Sequence, residues 1–400
     1  MSKNIRLAFD MRTNHRSGIY RYGISLLEML INTEQNLDIT IIQNKNTILP
    51  KPIVFSQKNF VVPDDGCFVR RSTELCNWLH NNADIYYSPN YLVDFQIDIP
   101  FIFTIHDLTR LKFPLQSSYT DKEFINKFGY KEYQLLINEV RNLRKISTLD
   151  YQRSISHDYF NEYFWRANSI LAKKAYQVNT VSTSTKKDIE NILDIPGDKI
   201  QVIPNSVSSF FTKSKVDVRS NILFVGQANK RKRVDWLFSG ISKIQSQFDK
   251  DKLLFIGRGL KENKYLHGLI NNHYLENIVD IFDDVSDLEL VSIYQKSKAT
   301  IISSIDEGFC LPALESISCG TEVIAPNLPA IREVIGDKAH YYNVWDQDEL
   351  VKLIYASLKN ELPPKAEEYV NSHTWELSAK LLLKQILDYE HKDNEMYVAK

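Results

Sequence analysis

The 400-residue sequence has almost no net charge and no long hydrophobic run. Lys and Arg together number 49 against 50 Asp and Glu, which gives a formal net charge of −1. A protein that binds nucleic acid over its whole surface is normally clearly basic, so the balance argues against that class. No apolar stretch reaches the length needed to cross a bilayer, and the N-terminal residues lack the hydrophobic core of a signal peptide. We therefore expect a cytoplasmic protein.

Patterns typical of metal sites and disulfide frameworks are also missing. The four cysteines form no CxxC pair and no Cys/His zinc pattern, so we expect buried or unreactive thiols: Cys67, Cys76, Cys310 and Cys319. No Asp-x-Asp motif stands out as a metal clamp. The adjacent acids Asp64–Asp65 and Asp283–Asp284 are more typical of solvated turns, so we predict no metal site.

What the sequence does contain is a regular alternation of strands and helices. At 400 residues the chain is long for a single core, so two domains are expected. In the first half, short apolar strands are predicted at IRLAFDMR, LDITII, ADIYYS, PFIFTIH, YQVNTVS and KIQVIPN. In the second half, they are predicted at NILFVG, KLLFIG, IVDIF, ATIISS and TEVIAP. Helical patterns between these strands predict two doubly wound α/β domains with parallel sheets.

The domain boundaries follow from composition. A polar stretch without periodicity at 205–220 is the best linker candidate, so we place an N-terminal domain at 1–207 and a C-terminal domain at 216–372. Open α/β sheets bind ligands at the carboxyl ends of their strands, which predicts a binding cleft between the two domains.

One segment, 118–174, breaks the alternation and is predicted to be a helical insertion in the first domain. The insertion carries aromatic and basic residues together: Tyr151, Phe160, Tyr163, Phe164 and Trp165 among Arg144, Lys145, Arg153 and Arg166. Such a mixture can dock on a lipid headgroup surface. The ordinary alternative is a set of helices packed on their own domain.

The stretch EGFCLPALESISCG places two glutamates around the start of a helix. Glu307 lies in the loop that leaves the strand ATIISS, and Glu315 lies about one turn into the helix that follows. Pro312 fits the first helical position, where no amide hydrogen is needed, and Gly320 fits the position that closes the helix.

The backbone between the two glutamates is suited to an anion. The amides of Phe309, Cys310 and Leu311 precede the helix, where unpaired N–H groups and the helix dipole favour negative charge. The carboxylates suit hydroxyl groups, because each accepts several hydrogen bonds. Phosphate and sugar hydroxyls together describe a nucleotide-sugar site. The alternative is a solvated loop glutamate and a helix glutamate near the favourable end of the dipole.

A second stretch, NKRKRVDW, places Lys230, Arg231, Lys232 and Arg233 at the predicted start of a helix. Cations there oppose the helix dipole by about 0.3 to 1 kcal/mol each, so an anion is expected nearby and removing the cations should not lower stability. We predict a diphosphate clamp. The alternatives are a solvated basic run and a localisation or nucleic-acid patch.

These motifs resemble those of retaining glycosyltransferases of family 4, which have the GT-B fold. The segment 307–343 is similar to the family's donor signature, with its glutamates at Glu307 and Glu315, and LFVGQANKRKRVDWL resembles its clamp, with Arg231 and Lys232. The resemblance extends to SGIYRYGISLL, which holds the loop residue Gly18, and to FTIHDLTRLKFP, which holds His106. HTWELSAKLLL is similar to the family's last helix, which implies that 373–400 returns to the first domain.

The resemblance implies a GT-B enzyme: two Rossmann-like domains that face a central cleft, without a cofactor or metal. It implies retaining transfer of a hexose, with mannose from GDP-mannose as the closest match, to a glycan or lipid-linked acceptor of bacterial surface polysaccharide. Rhamnose, glucose and N-acetylglucosamine remain alternatives for the sugar. Contact with the inner face of the membrane would suit a lipid-linked acceptor.

Roles for individual residues follow from the same resemblance. The implied catalytic residues are His106, Arg231, Lys232 and Glu307. The implied donor-binding residues are Gly18, Arg231, Lys232, Glu307, Gly308, Phe309, Cys310, Leu311 and Glu315. Glu307 would bind hydroxyls of the transferred sugar and Glu315 the ribose. His106 would face the sugar, although a histidine satisfied by backbone is the alternative, and Asp107 stays a candidate for the acceptor-side base.

The chain departs from the family pattern at three positions. Cys310 stands where glycine is usual, Gln227 where many members have arginine, and Arg233 where asparagine is usual. These departures concern the donor rather than the reaction class. Two other classes stay open: a nucleotide-sugar 2-epimerase on the same fold, and a protein that binds nucleotide-sugar without turning it over.

Overall fold

The computed structural model describes residues 4–12, 17–33, 37–63, 69–146, 158–215, 218–366, 369 and 371–398. Its contacts divide the chain into two compact units. The first comprises Met1–Asn205 and Thr374–Lys400, and the second comprises Ser206–His373. The first unit therefore ends at Asn205, where the sequence predicted residue 207. The second unit ends at His373, where the sequence predicted residue 372.

The first unit is built on a sheet of seven parallel strands. These strands are β1 (Ile5–Asp10), β2 (Leu37–Asn44), β3 (Lys58–Val62), β4 (Ile85–Ser88), β5 (Phe101–Ile105), β6 (Gln177–Thr180) and β7 (Ile200–Val202). Their order is β3-β2-β1-β4-β5-β6-β7, so the sheet is doubly wound about β1. The sequence prediction missed β3, an edge strand in which only Val62 is buried.

Helices cover this sheet and begin at residues that suit helix starts. They are α1 (Gly18–Ile31), α2 (Lys51–Ser56), α3 (Thr73–Asn82), α4 (Thr109–Lys112), α5 (Pro114–Ser117), α6 (Asp121–Phe128), α7 (Tyr130–Ile146), α8 (Tyr159–Lys174) and α9 (Thr183–Leu193). The hydroxyls of Ser17, Ser72, Thr120 and Ser182 each accept a hydrogen bond from a first-turn amide, which satisfies one otherwise unpaired donor.

Helices α4 to α8 fill the segment between β5 and β6. Their aromatic residues are buried: Phe160 is 1% exposed, Tyr163 5% and Phe164 3%. Arg144 and Arg166 both pair with Glu162 of α8. The three aromatic side chains and Arg166 are buried within their own unit, which fits the alternative of helices packed on their own domain, whereas Arg144 is partly exposed. Contact with a membrane stays a prediction.

Two other residues named for that docking face, Tyr151 and Arg153, lie outside the described residues. Of the remaining two, Trp165 packs against the core of the first unit and Lys145 is exposed. Within the described parts of the chain, no helix combines the length and apolar character needed to span a bilayer.

The second unit has a sheet of six parallel strands. The strands are β8 (Ile222–Val225), β9 (Leu253–Gly257), β10 (Val279–Asp283), β11 (Ala299–Ile301), β12 (Glu322–Pro326) and β13 (His340–Tyr342). The helices are α10 (Val234–Ser242), α11 (Lys264–Asn272), α12 (Asp287–Lys296), α13 (Leu311–Ser318), α14 (Pro329–Ile335) and α15 (Gln347–Leu358). The prediction missed β13, a three-residue strand at the sheet edge.

The strand order of this second sheet determines where a ligand can bind. It is β10-β9-β8-β11-β12-β13, so the chain returns from one edge to the middle and β11 lies beside β8. In such a sheet the loops after the two central strands diverge to opposite faces and open a crevice at their carboxyl ends. In this unit those loops are residues 226–233 and 302–310.

The last helix, α16 (Trp375–Val398), belongs to the first unit and packs against α1. Two hydrogen bonds fix it there. Ser378 Oγ donates to the carbonyl of Pro204 at 2.7 Å, and Gln385 Nε2 donates to Asn179 Oδ1 at 2.8 Å.

Candidate active site

The basic residues of the loop after β8 form a turn of their own rather than the start of a helix. Lys230–Lys232 make a single 3₁₀ turn, in which the side chain of Asn229 accepts a hydrogen bond from the Lys232 amide at 3.0 Å. Arg233 follows with left-handed backbone, and α10 begins only at Val234. The prediction that these cations begin the helix is therefore wrong, and so is the dipole argument built on it.

Lys232 and Arg231 instead contact Glu307 from the loop after β11. Lys232 Nζ lies 2.6 Å from Glu307 Oε1, and Arg231 Nη1 lies 3.2 Å from Glu307 Oε2. Ser304 Oγ donates a further hydrogen bond to Glu307 Oε1 at 2.6 Å. Lys232 and Glu307 are each only 8% exposed. Two cations and one carboxylate thus meet at the point where the sheet reverses its strand order.

This environment keeps Glu307 ionised. Burial alone would raise the pKa of Glu307, but the charges of Lys232 and Arg231 and the hydrogen bonds from Lys232 and Ser304 lower it to about 2. At neutral pH the carboxylate is therefore an acceptor only, and it can hold cations or sugar hydroxyls.

The loop after β11 also holds the backbone of the basic turn. The amide of Ile305 donates to the Arg231 carbonyl at 3.1 Å, and Ser303 Oγ donates to the Lys232 carbonyl. Sequence analysis did not single out Ser303 or Ser304. Their position directly after a buried strand that lines the crevice was the signal that could have identified them.

Two glycines bring β8 and β9 close together beside this cluster. Gly226 has a φ of 149°, and a Cβ added to Gly257 would lie 2.5 Å from the Gly226 carbonyl oxygen. A Cβ on Gly226 would lie 3.5 Å from Cε of Lys232. Glycine is therefore needed at 257 for the close approach of two backbones, and at 226 for its backbone conformation beside the lysine.

The donor motif enters α13 through a residue with unusual backbone. Cys310 has φ 74° and ψ 64°, in the left-handed region, and Pro312 is the second residue of the helix rather than the first. The first helical hydrogen bond runs from the Ala313 amide to the Cys310 carbonyl at 3.0 Å, so the helix ladder does not use the amides of Phe309 and Leu311. Gly320 closes the helix with a φ of 74°, as predicted.

The backbone at Cys310 explains why glycine is the usual residue there in the family that the sequence resembles. We expect Cys310→Gly to be more stable than Cys310→Ala by about 1 kcal/mol, because only glycine adopts left-handed backbone without a steric penalty. Chemical denaturation of both variants measures the difference. Cys319 is the matched control, since it is equally buried but has a φ of −82°. At position 319 the alanine variant should be more stable than the glycine variant. If glycine is the more stable residue at both positions, or alanine at both, the explanation from backbone conformation is contradicted.

The structure describes three of the four cysteines, and Cys67 lies outside the described residues. Cys76, Cys310 and Cys319 are free and buried, which confirms the expectation for them. Burial raises the pKa of the Cys310 thiol to about 12, so it stays protonated in the candidate site at neutral pH.

Glu315 lies on the second turn of α13 and is 3% exposed. Tyr294 of α12 donates its hydroxyl to Glu315 Oε2 at 2.9 Å. The two glutamates of the motif thus have different partners: Glu307 contacts the basic turn and Glu315 a buried tyrosine.

In the first unit, His106 follows β5 and is held by backbone. Its Nε2 lies 2.8 Å from the Pro89 carbonyl, which can only accept, so this nitrogen carries the proton. The ring packs edge-on against Tyr22, with 5.0 Å between centroids. Burial lowers the pKa of His106, and the neighbouring carbonyl and Asp107 only partly oppose it. A histidine satisfied by backbone is what the structure shows.

The other first-unit residues of the prediction lie at helix starts. Gly18 is the exposed first residue of α1 and follows the N-cap Ser17, while residues 13–16 of its loop lie outside the described part. Asp107 Oδ1 accepts a hydrogen bond from the Thr109 amide at 3.1 Å, where α4 begins.

Sequence analysis missed a buried charged network at the carboxyl end of β1. Arg12 Nη2 lies 2.7 Å from Asp10 and 2.8 Å from Asp94, and Arg70 Nη1 lies 3.3 Å from Asp10. Tyr86 donates its hydroxyl to Asp10. Burial would raise the pKa of Asp10, but the two arginines lower it. The network fixes the end of β1. In the sequence, Asp10 and Arg12 lie on either side of Met11 at the end of a buried strand, and this pattern could have indicated the network.

Among the described residues, no three His, Cys, Asp or Glu side chains are placed to hold a metal ion. Asp283 accepts hydrogen bonds from the amides of Gly259 and Lys261, and Asp284 pairs with Arg258 at 3.0 Å, so this acidic pair lies at the end of β10 with partners from the protein itself. Asp64–Asp65 lies outside the described residues. Independence of metal stays a prediction.

Comparison with known proteins gives a family for the second unit. Residues 209–373 match the model of the family described as glycosyl transferases group 1. Among curated proteins, the chain is 28% identical over 211 residues to O-antigen chain mannosyltransferase RfbU of Salmonella typhimurium, covering 52% of this chain and 58% of that protein. It is 26% identical over 189 residues to MMP alpha-(1->4)-mannosyltransferase of Mycolicibacterium hassiacum, covering 46% of each chain. The matches thus span about half the length of these relatives.

Solved structures share the architecture of the whole chain. Sucrose-phosphate synthase from Thermosynechococcus elongatus matches with a TM-score of 0.62 and 12% identity, over 99% of this chain and 100% of that chain. HepE from Anabaena, solved in complex with UDP-glucose, matches with the same TM-score of 0.62 and 12% identity, over 99% and 100% of the two chains. At this identity the likeness concerns the fold alone, and the fold is GT-B, as predicted. The family match therefore concerns residues 209–373, which lie in the second unit and resemble the group 1 glycosyl transferases, and the curated relatives named above are mannosyltransferases.

Proposed function

We propose that this protein is a retaining glycosyltransferase that moves mannose from GDP-mannose to a hydroxyl of a glycan or lipid-linked acceptor. We place the reaction in the cytoplasm, in the synthesis of a bacterial surface polysaccharide. The observation that carries the proposal is the buried cluster of Arg231, Lys232 and Glu307 at the switch point of the second sheet. The names of the curated relatives support mannose as the sugar.

The cluster has the charges that this reaction needs. Breaking the bond at the anomeric carbon leaves negative charge on the diphosphate and positive charge on the sugar. Arg231 and Lys232 are fixed before the reaction begins, so they can stabilise the leaving diphosphate without reorganisation. Glu307 uses only some of the hydrogen-bond donors of Arg231 and Lys232, because a lysine has three N–H donors and an arginine five. The cations can therefore also bind phosphate oxygens, although the negative charge of Glu307 offsets part of their attraction for phosphate.

Other groups of the second unit complete the donor site in this proposal. The amides of Gly308, Phe309, Cys310 and Leu311 add hydrogen bonds to the phosphates near the start of α13. Glu307 binds hydroxyls of the transferred sugar. No side chain is proposed as a nucleophile, and the proton of the acceptor hydroxyl passes either to the leaving phosphate or to a base of the first unit.

From the first unit we propose His106 and Gly18 as contributors. With Nε2 donating to the Pro89 carbonyl and the pKa lowered by burial, the His106 ring is neutral and its Nδ1 can accept a hydrogen bond from a hydroxyl. Asp107 is the candidate for an acceptor-side base.

Glu315 is proposed to bind the ribose. We expect Glu315→Gln to weaken GDP binding by about 1.5 to 3 kcal/mol, the range for a lost charged hydrogen bond, while the amide keeps the shape of the buried side chain. Calorimetric titration with GDP measures the loss. Tyr294→Phe is the control, because it removes only the hydrogen bond to Glu315 and should change the affinity less. GDP affinity unchanged in Glu315→Gln would overturn this role.

Transfer is expected to survive chelation. The motivation is the pair of cations at the switch point, which can neutralise the diphosphate in place of a metal ion. The measurement is the rate of GDP release from GDP-mannose, with acceptor, before and after dialysis against EDTA. A complete loss of rate that Mg²⁺ or Mn²⁺ restores would show that the prediction is wrong.

The proposal as a whole is tested with a panel of GDP-, UDP- and dTDP-sugars, with and without lipid-linked glycan acceptors. We expect the highest turnover with GDP-mannose and retention of the α configuration in the product. Epimerised donor without acceptor would favour the 2-epimerase. Nucleotide binding without turnover of any donor would favour a protein that only binds.

A further inference from the structure

Arg233 is the residue at which the basic turn ends and α10 begins. Its φ of 51° and ψ of 42° lie in the left-handed region, which residues other than glycine, asparagine and aspartate seldom adopt. An arginine there works against the local backbone preference, so its side chain must gain something elsewhere.

The side chain of Arg233 joins two loops of the second unit. Its guanidinium group donates to the carbonyl of Val344, in the loop after β13. It also lies 3.8 Å from the ring centroid of Trp236 and 5.5 Å from that of Trp345. No carboxylate is among its contacts in the described part of the chain, in contrast to Arg231 and Lys232. Arg233 therefore bridges the loop after β8 and the loop after β13 by stacking and a hydrogen bond rather than by an ion pair.

The backbone of Arg233 transmits this anchoring to its neighbours. Its amide donates to the Lys230 carbonyl at 3.0 Å and closes the basic turn, and its carbonyl accepts from the Leu237 amide at 2.9 Å and opens α10. On the other side, the loop after β11 holds the carbonyls of Arg231 and Lys232. The turn that carries both clamp cations is thus fixed from two directions.

We propose that Arg233 is a positioning residue that keeps Arg231 and Lys232 aimed at the diphosphate of the donor. This inference rests on the proposed function of the clamp. The contacts of Arg233 give it a role that its charge alone would not.

Two variants separate anchoring from charge. Arg233→Gly permits the left-handed backbone but removes the stacking and the hydrogen bond to Val344. Arg233→Lys keeps the positive charge but lacks the planar group that stacks on tryptophan and the fork of donors. The control is Lys230→Gly, which removes an exposed cation from the same turn.

The measurement is GDP and UDP affinity by calorimetry, together with kcat and KM for the donor and a thermal melt of each variant. We expect the Kd for GDP to rise about tenfold in both Arg233 variants, with a fall in kcat, and about twofold or less in Lys230→Gly. Full affinity and kcat in Arg233→Lys would mean that charge alone matters. A lower melting temperature with unchanged affinity in Arg233→Gly would mean that the role is only structural.

Either of those results overturns the inference while the proposed function stands. If the wild-type protein binds neither GDP nor UDP, the proposed function fails and this inference fails with it. Wild-type binding that both Arg233 variants retain in full leaves the clamp in place and removes only the role of Arg233.

Discussion

Replacing Lys232 with alanine is expected to abolish most sugar transfer and to destabilise the second unit. Lys232 is the closest cation to Glu307, at 2.6 Å, and both side chains are buried. Without Lys232 the buried Glu307 carboxylate keeps only Arg231 and Ser304 as partners, so we expect a cost at the low end of the range for a broken buried ion pair, about 3 kcal/mol. The rate of transfer should fall roughly 100- to 1,000-fold, as when one preorganised stabiliser of developing charge is lost. Steady-state kinetics and denaturant unfolding measure the two effects.

The loss of stability reverses what the basic run alone predicted. Four cations at the start of an α-helix would oppose its dipole, so their removal should leave stability unchanged. The structure places Lys232 in a separate 3₁₀ turn with a buried carboxylate as its partner. Because this ion pair is lost in Lys232→Ala, we expect the free energy of unfolding to fall. Arg231 is more exposed, so Arg231→Ala should lower the transfer rate to a similar degree but cost less stability.

A double variant separates the two effects of Lys232. In Lys232→Ala/Glu307→Gln no charge is left buried without its closest partner, so stability should recover in part while transfer stays lost. Lys230→Ala, in the same turn but exposed, serves as the control for nonspecific loss of a cation. A near-normal kcat in Lys232→Ala, or an active double variant, would contradict the assignment of the clamp.

Glu307→Gln is expected to bind GDP more tightly than the wild type while it transfers sugar more slowly. The carboxylate, with its pKa near 2, is ionised at neutral pH and competes with phosphate for Lys232 and Arg231. Neutralising it should lower the Kd for GDP by about tenfold, or about 1.4 kcal/mol. Transfer should slow roughly 10- to 150-fold, the equivalent of 1.5 to 3 kcal/mol for a charged hydrogen bond to the sugar.

Glu315→Gln is the matched comparison, because it makes the same chemical change on the other glutamate of the motif. It should weaken GDP binding, so the two substitutions move the affinity in opposite directions. Titration of both variants with GDP, beside donor turnover, measures this. Weaker binding of GDP by Glu307→Gln would show that the carboxylate does not compete with phosphate.

The strands that sequence analysis predicted correctly are those with continuous apolar runs. IRLAFD and FIFTI are buried almost throughout, and burial on both faces is what such runs indicate in a parallel sheet. The two missed strands, β3 and β13, lie at sheet edges, where one side has no neighbouring strand and the apolar run shortens. The fold class was therefore predictable, and so were the edge strands β7 and β10, whereas the edge strands β3 and β13 were not.

For the candidate site, the positions of the loops were predictable but the pairing of side chains was not. Glu307 and Lys232 are 75 residues apart in sequence, and only the neighbouring positions of β8 and β11 bring them together. Rules that concern only residues close in sequence, such as the helix-dipole rule, do not identify a partner this far away in the chain. The same holds for Arg12 and Asp94 in the first unit, which are 82 residues apart.

The backbone conformation at two positions of the candidate site was also not predictable from the sequence. Cys310 and Arg233 both adopt left-handed backbone, although neither is a residue type that signals it. In the sequence, both positions depart from a family pattern that has glycine and asparagine there. The structure supplies the physical reason, since glycine and asparagine are residues that tolerate this region.

The central claim, that Lys232 and its partners bind a diphosphate, is tested most directly by calorimetric titration of the wild type and Lys232→Ala with GDP and with guanosine. The two ligands share the base and ribose and differ only in the diphosphate. The account predicts that the wild type binds GDP at least tenfold more tightly than guanosine, and that Lys232→Ala loses most of this difference while its affinity for guanosine is unchanged. An equal preference for GDP in both proteins would contradict the claim.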